Sequence, residues 1–181
     1  MLNKERNEAD LVRACLDGDM AAFELLVERY ERPVFNAAYR LIGSREDARD
    51  ITQTVFLKAY QNLRRYDPRH KFYSWIYRIA VNESLNLLSK ENRLETLEKE
   101  SVSEARGPEE TLGSAETCQQ VQEALMGLKS DYRVVIVLRH FVGCTYNDIS
   151  RIIHVPLKTV KSRLFTARQL LKETLTRKGL I

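Results

Sequence analysis

Seven lysines and arginines fall between residues 158 and 178 of this chain, against one acid, Glu173. That segment nets +6 while all 181 residues net only +4. Cations grouped on one helix neutralise a polyanionic backbone and release its condensed counterions, which is binding chemistry rather than bond-making chemistry. Val160, Leu164, Ala167 and Leu171 recur at three- or four-residue spacing and are expected to pack inward. Lys158, Thr159, Lys161, Ser162, Arg163, Phe165, Thr166 and Arg168 are left facing outward, as candidate contacts to duplex DNA.

A second group lies upstream. Residues 64–82 hold five aromatic rings among five Lys or Arg and one His. Ile76, Ile79, Ala80 and Leu87 suit an inward stripe, which Phe72, Tyr73, Trp75 and Tyr77 cannot all share. Two readings stay open. In one, Trp75 and Phe72 cap the core while the tyrosine hydroxyls reach solvent. In the other, cations hold a single strand, the rings take unstacked bases, and Asn82 hydrogen-bonds a base edge. Stacking on an aromatic ring is worth ~1–3 kcal/mol per base, comparable to the cost of extruding one base from duplex. A few such contacts could trap an opened base pair without ATP.

The elements that must position these groups are helical. Thr145 followed by Asp148 is a capping pattern, and Ile149, Ile152 and Ile153 give the next helix one apolar face. Pro156 cannot continue that helix, so the chain turns near His154 before the cationic helix begins. A capped short helix, a tight turn and a cationic helix form the grammar of a helix–turn–helix aimed at a major groove. Upstream, the spacing predicts helices over 8–17, ending at Gly18, and over 20–30, capped by Asp19. A third is predicted from Pro33 to near Gly43, a fourth from the Ser44–Asp47 capping pattern to about Arg65, and a fifth over 72–90. Two more are expected near 116–127 and 131–141.

With 44% apolar residues, only seven Gly and four Pro, and few alternating runs, the fold class is all-α. No apolar run approaches the ~20 residues of a membrane span, and the charged N-terminus lacks a signal-peptide core, so no membrane insertion is expected. Cys15, Cys118 and Cys144 are odd in number and far apart, which favours reduced thiols and a cytoplasmic location. His140 and Cys144 alone do not make a zinc site. No HExxH spacing, phosphate-cradling glycine loop or nucleophile motif occurs, so an enzyme is not expected. Charge also divides the chain. Residues 20–90 hold twelve bases and eight acids, whereas 91–117 hold eight Glu against Arg93, Lys99 and Arg106. The second stretch, with Gly107, Pro108 and Gly113, reads as a flexible acidic linker.

Three segments together resemble the bacterial RNA polymerase sigma factors of the sigma-70 family, in the small extracytoplasmic-function (ECF) branch. They are residues 47–60 (DARDITQTVFLKAY), residues 72–82 (FYSWIYRIAVN), and residues 159–164 (TVKSRL) with Ala167 and Arg168. The resemblance covers nearly the whole chain. It implies two small helical domains, a sigma-2-like bundle over 7–92 and a sigma-4-like helix–turn–helix domain over 116–178, joined by the linker 93–115. It implies binding to core RNA polymerase and promoter DNA, no cofactor, and an anti-sigma factor as a conceivable partner. By analogy Asp47, Asp50, Gln53 and Phe56 would dock on the coiled coil of the largest polymerase subunit, with the flap region as a second contact. Arg65, Lys71, Phe72, Tyr73, Trp75, Tyr77 and Asn82 would melt and read the start-proximal promoter element, and the helix from Lys158 would read the distal one. This sequence departs from the family at His154 and Lys158, where glycine is frequent, at Thr166, where Arg is frequent, and near Lys129, where a Pro is common. The basic cluster that usually follows the Asn82 position is diluted by Asn86, Ser89 and Glu91.

The linker sets a reach. Its 23 residues span ~25–30 Å as a coil and roughly 75–80 Å extended, whereas two turns of DNA cover ~70 Å. The lobes therefore reach two such elements only when nearly stretched. A polymerase that holds them apart would remove that cost, and the free chain is expected to be compact and a poor promoter binder. The competing reading is a helix–turn–helix regulator that acts on duplex DNA without polymerase. It leaves the aromatic–basic segment and the 47–60 helix unexplained.

Overall fold

A computed structural model describes residues 7–67, 69–97 and 112–180. Among these residues the chain forms eight α-helices and no strand: α1 (Glu8–Leu16), α2 (Met20–Ile42), α3 (Arg45–Asn62), α4 (Phe72–Leu97), α5 (Leu112–Met126), α6 (Ser130–Ile136), α7 (Tyr146–Ile153) and α8 (Leu157–Arg177). A 3-10 turn over Leu63–Arg65 follows α3, and α6 continues into a π turn over Val137–Phe141. No helix among the described residues is long and apolar enough to cross a membrane.

Helices α1–α4 enclose the first core, with Leu11, Leu26, Val34, Leu41, Val55, Phe72 and Ile76 fully buried. The helix starts follow their caps. Asn7, Asp19 and Ser44 each accept a hydrogen bond from a backbone N–H of the turn they open. The start of α4 is capped from a distance: the Phe72 N–H donates to Glu8 Oε1 at 2.9 Å, and the Tyr30 hydroxyl donates to the other Glu8 oxygen. One carboxylate thus ties α1, α2 and α4 together and places negative charge at a helix N-terminus.

The two helices expected over 20–30 and 33–43 are one continuous helix, α2, with Pro33 in its interior. Proline inside a helix costs ~3 kcal/mol or more. Ala22, Leu26, Val34, Ala37, Ala38 and Leu41 are buried on both sides of it, with half-buried Tyr30 between. Each large apolar side chain buried contributes ~1.5–3 kcal/mol, so this burial outweighs the proline. Likewise α4 runs to Leu97 rather than ending near residue 90, and α5 starts at Leu112 rather than near residue 116. Of the linker expected over 93–115, residues 98–111 lie outside the described residues.

Helices α5–α8 build the second core from Leu125, Val135, Ile136, Leu138, Ile149, Ile152, Val160 and Leu164. Helix α7 starts with a full capping box. The Thr145 side chain accepts from the Asp148 N–H at 3.2 Å, and Asp148 Oδ2 accepts from the Thr145 N–H at 3.0 Å. The turn between α7 and α8 passes through His154 at φ 53°, ψ 43°, the one non-glycine residue with positive φ among those described. A β-carbon is crowded in that conformation, and glycine is the residue that adopts it freely. His154→Gly is expected to raise stability by up to about 1 kcal/mol. Urea unfolding monitored by circular dichroism checks it; an unchanged or lower midpoint means the turn carries no strain.

Candidate nucleic-acid interface

Helix α8 buries Val160, Leu164 and Ala167 and leaves Leu171 half-buried, so its opposite face is the cationic one. Lys158, Lys161, Ser162 and Arg168 are exposed, Thr159 and Thr166 half-buried, and the Phe165 ring is 68% exposed. Two of the arginines are already oriented. Arg163 Nη2 donates to Asp131 Oδ2 of α6 at 2.6 Å, and Arg168 Nε donates to His140 Nε2 at 3.3 Å. Burial, then Arg168 and Arg139, hold the His140 imidazole below its usual range and favour its neutral, accepting form. Lys158 and Lys161 stand out as point charges for phosphate.

The N-terminal end of α4 carries the aromatic group. Tyr66, Phe72 and Trp75 form a triangle of rings with centroids 5.4–5.7 Å apart, and Tyr30 closes on Phe72 at 5.6 Å. The sequence grouped Phe72 and Tyr77 with the base-contacting residues. The structure puts both in the core, Phe72 fully buried and Tyr77 5% exposed, so neither ring face is open to a base. Tyr73 and Trp75 are half-buried, and Arg65, Lys71 and Asn82 are exposed. The Lys71 ammonium lies 5.6 Å from the Tyr73 ring centroid. Trp75 therefore sits at the edge of a platform backed by Phe72, with Arg65, Lys71 and Arg78 around one cavity beside it.

On α3, Asp50 and Gln53 are exposed and Asp47 half-buried, while Phe56 is only 8% exposed and packs into the first core. The expected protein-docking face keeps its polar members, and Phe56 supports it from behind.

The two groups of helices meet along a seam that joins their buried apolar residues into one cluster and is edged with hydrogen bonds. Gln122 Nε2 of α5 donates to the Tyr39 carbonyl at 3.0 Å, and Arg40 Nη1 donates to Gln122 Oε1 at 3.0 Å. The Arg40 guanidinium also stacks 4.8 Å from the Phe141 ring centroid. Arg133 is buried and reaches three carbonyls: Nη1 donates to Leu41 at the end of α2, and Nη2 to Met126 and Leu128 at 2.8 and 2.9 Å. A cation there meets the negative ends of two helices at once. Gly43, at φ 82°, ends α2 where a β-carbon would stand 2.8 Å from Met126 Sδ. Farther along, the Tyr73 hydroxyl faces the Asp148 carboxylate. Burial, then that carboxylate, push the phenol up to about 12. Burial alone would raise Asp148, but hydrogen bonds from Thr145 and Tyr73 bring it below its usual value.

Two family models match where these surfaces lie: Sigma-70 region 2 over residues 26–94 and Sigma-70, region 4 over residues 118–171. The chain is 31% identical to the RNA polymerase sigma-H factor of Pseudomonas aeruginosa, across 97% of this chain and 96% of that one. It is 34% identical to the ECF RNA polymerase sigma-E factor of Escherichia coli strain K12, across 93% and 94%. The chain belongs to the sigma-70 family as an ECF sigma factor. Its fold is similar to that of the sigma factor RpoE co-crystallised with the anti-sigma factor NepR from Bartonella quintana. That likeness has a TM-score of 0.76 at 23% identity and covers 85% of this chain and 96% of that one.

In this ECF sigma factor, the region 2 match runs from residue 26 in α2 to residue 94 in α4, and the region 4 match from residue 118 in α5 to residue 171 in α8. A helix–turn–helix regulator acting without polymerase accounts for only the second match. Sequence reasoning missed Glu8, Arg40, Gln122 and Arg133. Arg133 did leave a trace: a lone charge directly before the run Val134–Leu138 is a buried group in need of acceptors.

The seam gives a pH signature. Burial pushes both Tyr73 and Tyr77 up to about 12 from an ordinary 10. A raised phenol stabilises the fold fully below pH 10, and that stabilisation is lost as pH rises through 12. Phenolate absorbance during alkaline titration is therefore expected to lag at these tyrosines until the fold opens. All eight tyrosines titrating together near 10 in the folded chain would contradict the burial.

Proposed function

We propose that this ECF sigma factor binds core RNA polymerase, directs it to a two-part promoter and helps open the DNA there. In this reading α8 reads the distal element as duplex, with Lys158 and Lys161 on phosphates and Thr159, Ser162, Arg163, Phe165, Thr166 and Arg168 along the groove. Tyr73, Trp75 and Asn82 take the start-proximal strand as it separates, with Arg65 and Lys71 on its backbone and Phe72 and Tyr77 as the buried support. Asp47, Asp50 and Gln53 of α3 meet the coiled coil of the largest polymerase subunit, and the second lobe meets the flap region. The polymerase performs the phosphoryl transfer, so this chain needs no catalytic group or cofactor, and its place of work is the cytoplasm. An anti-sigma factor belongs to the same reading as an expectation of the family.

The observation that carries the reading is the presence on one chain of two unlike surfaces, each with a chemistry suited to DNA. One is an open cationic helix face suited to duplex. The other is an aromatic edge ringed by cations, suited to unpaired bases. Transcription in vitro by this chain with core polymerase on randomised promoters tests it; no RNA from any template refutes it.

Two variants separate the roles. Lys161→Ala is expected to weaken distal-element binding and lower the salt slope by about 1; an unchanged slope removes Lys161 from the phosphate contacts. Asp50→Arg is expected to weaken association with core polymerase at least tenfold, by placing a cation where a carboxylate met the partner. A wild-type dissociation constant moves the docking face elsewhere.

A further inference from the structure

We propose that the small cavity at the N-terminal end of α4 binds a free, multiply charged phosphate anion through Arg65, Lys71, Arg78 and Arg151. Inorganic phosphate, pyrophosphate and the phosphate tail of a nucleotide share that chemistry. The site stands without the reading of segment 64–82; only its competition with a DNA strand rests on that reading. The cavity has a volume of about 130 Å³, and the one carboxylate in its wall, Asp67, is already engaged. Arg69 donates to both Asp67 oxygens, from Nε at 2.9 Å and from Nη2 at 2.7 Å, and His70 lies 3.9 Å away. Among the described residues Arg65, Arg78 and Arg151 pair with no carboxylate. Lys71 leans on the Tyr73 ring, and the Asp148 carboxylate near it is held by Thr145 and Tyr73. The Arg78 Nε is buried and has no hydrogen-bond partner.

A buried donor on a charged group is costly without an acceptor. Four like charges around one void also repel one another, and a shared anion turns that repulsion into attraction. Phosphate is the anion that fits. Its tetrahedral oxygens accept from several directions at once, and guanidinium forks meet them two bonds at a time. A carboxylate offers only two oxygens in one plane. The volume falls below the ~300–1,000 Å³ of drug-sized pockets, so the cavity suits one phosphate group rather than a whole nucleotide. An attached nucleoside would lie outside, where the half-buried Trp75 ring offers a stacking edge. Arg65 and Lys71 are the cations given above to the start-proximal strand. A bound anion therefore competes with that strand and leaves α8 untouched.

The experiment uses the full chain with sodium pyrophosphate as the probe, at constant ionic strength made up with sodium chloride. Binding is read by calorimetry and by the fluorescence of Trp75, the chain's one tryptophan. One saturable site is expected. Arg78→Gln and Arg151→Gln are each expected to weaken it about tenfold, the worth of one charged hydrogen bond. Arg151 is exposed, so its variant tests the cavity even where Arg78→Gln fails to fold. Lys172→Gln removes an exposed cation of α8 outside the cavity and is expected to change nothing. A response that never saturates, or that falls equally in all three variants, is diffuse counter-ion attraction and overturns the site. Saturable binding that neither arginine variant weakens places the anion elsewhere and also overturns it. A labelled short single strand and a labelled duplex are then titrated at pyrophosphate about twice its dissociation constant. Single-strand binding is expected to weaken about threefold and duplex binding to hold. Pyrophosphate bound at the cavity without that competition keeps the site and removes Arg65 and Lys71 from the path of the strand. Single-strand binding weakened by Arg78→Gln, with no pyrophosphate bound, makes the cavity a backbone subsite and overturns the free anion.

Discussion

The carboxylate of Asp148 links local folding to the arrangement of the whole chain. It completes the capping box that starts α7, accepting from the Thr145 N–H and hydroxyl, and it faces the Tyr73 hydroxyl on the other lobe. A buried carboxylate is costly unless its oxygens are satisfied. The cap meets most of that demand inside the second lobe, so the bond to Tyr73 is an addition that the cap does not require. The start of the helix–turn–helix therefore needs nothing from the first lobe. One group serves both the fold of the second lobe and its contact with the first.

Local contacts fix functional side chains elsewhere as well. Glu8 locks three helices of the first lobe through Phe72 and Tyr30, and the rings of Tyr66, Phe72 and Trp75 pack on that lock. The aromatic edge is thus preorganised by its own lobe. On α8, Asp131 and His140 hold Arg163 and Arg168 in place before any DNA arrives. Preorganised side chains lose less entropy on binding. The junction combines apolar packing with the hydrogen bonds of Arg40, Gln122 and Arg133.

Much of this was legible in the sequence, because the decisive signals are local. The Thr145–Asp148 spacing, the apolar face of α7, His154 at the turn and the inward stripe of α8 each depend on residues within one or two helical turns. What the sequence hid was settled by contacts across distance. Pro33 reads as a helix start until buried residues on both sides of it are seen in one helix packed against α1, α3 and α4. Phe72 and Tyr77 read as a base platform because aromatic–basic composition does not say which rings face inward. Gln122 and Arg40 are ordinary polar residues in sequence, and only the meeting of two lobes gives them a role. Gly43 read as a helix stop, which it is, but its closeness to Met126 has no sequence signature.

In the proposed function the polymerase holds apart two lobes that touch in the free chain. Cys118 is exposed, while burial holds the Cys15 and Cys144 thiols up at about 11 and 12, so neither competes for a thiol-reactive dye near neutral pH. An added cysteine at exposed Gln61 places a second dye on the first lobe. The most direct measurement is energy transfer between these dyes with and without core polymerase. High transfer in the free chain that collapses on saturation with core supports the claim; equal transfer in both states contradicts it.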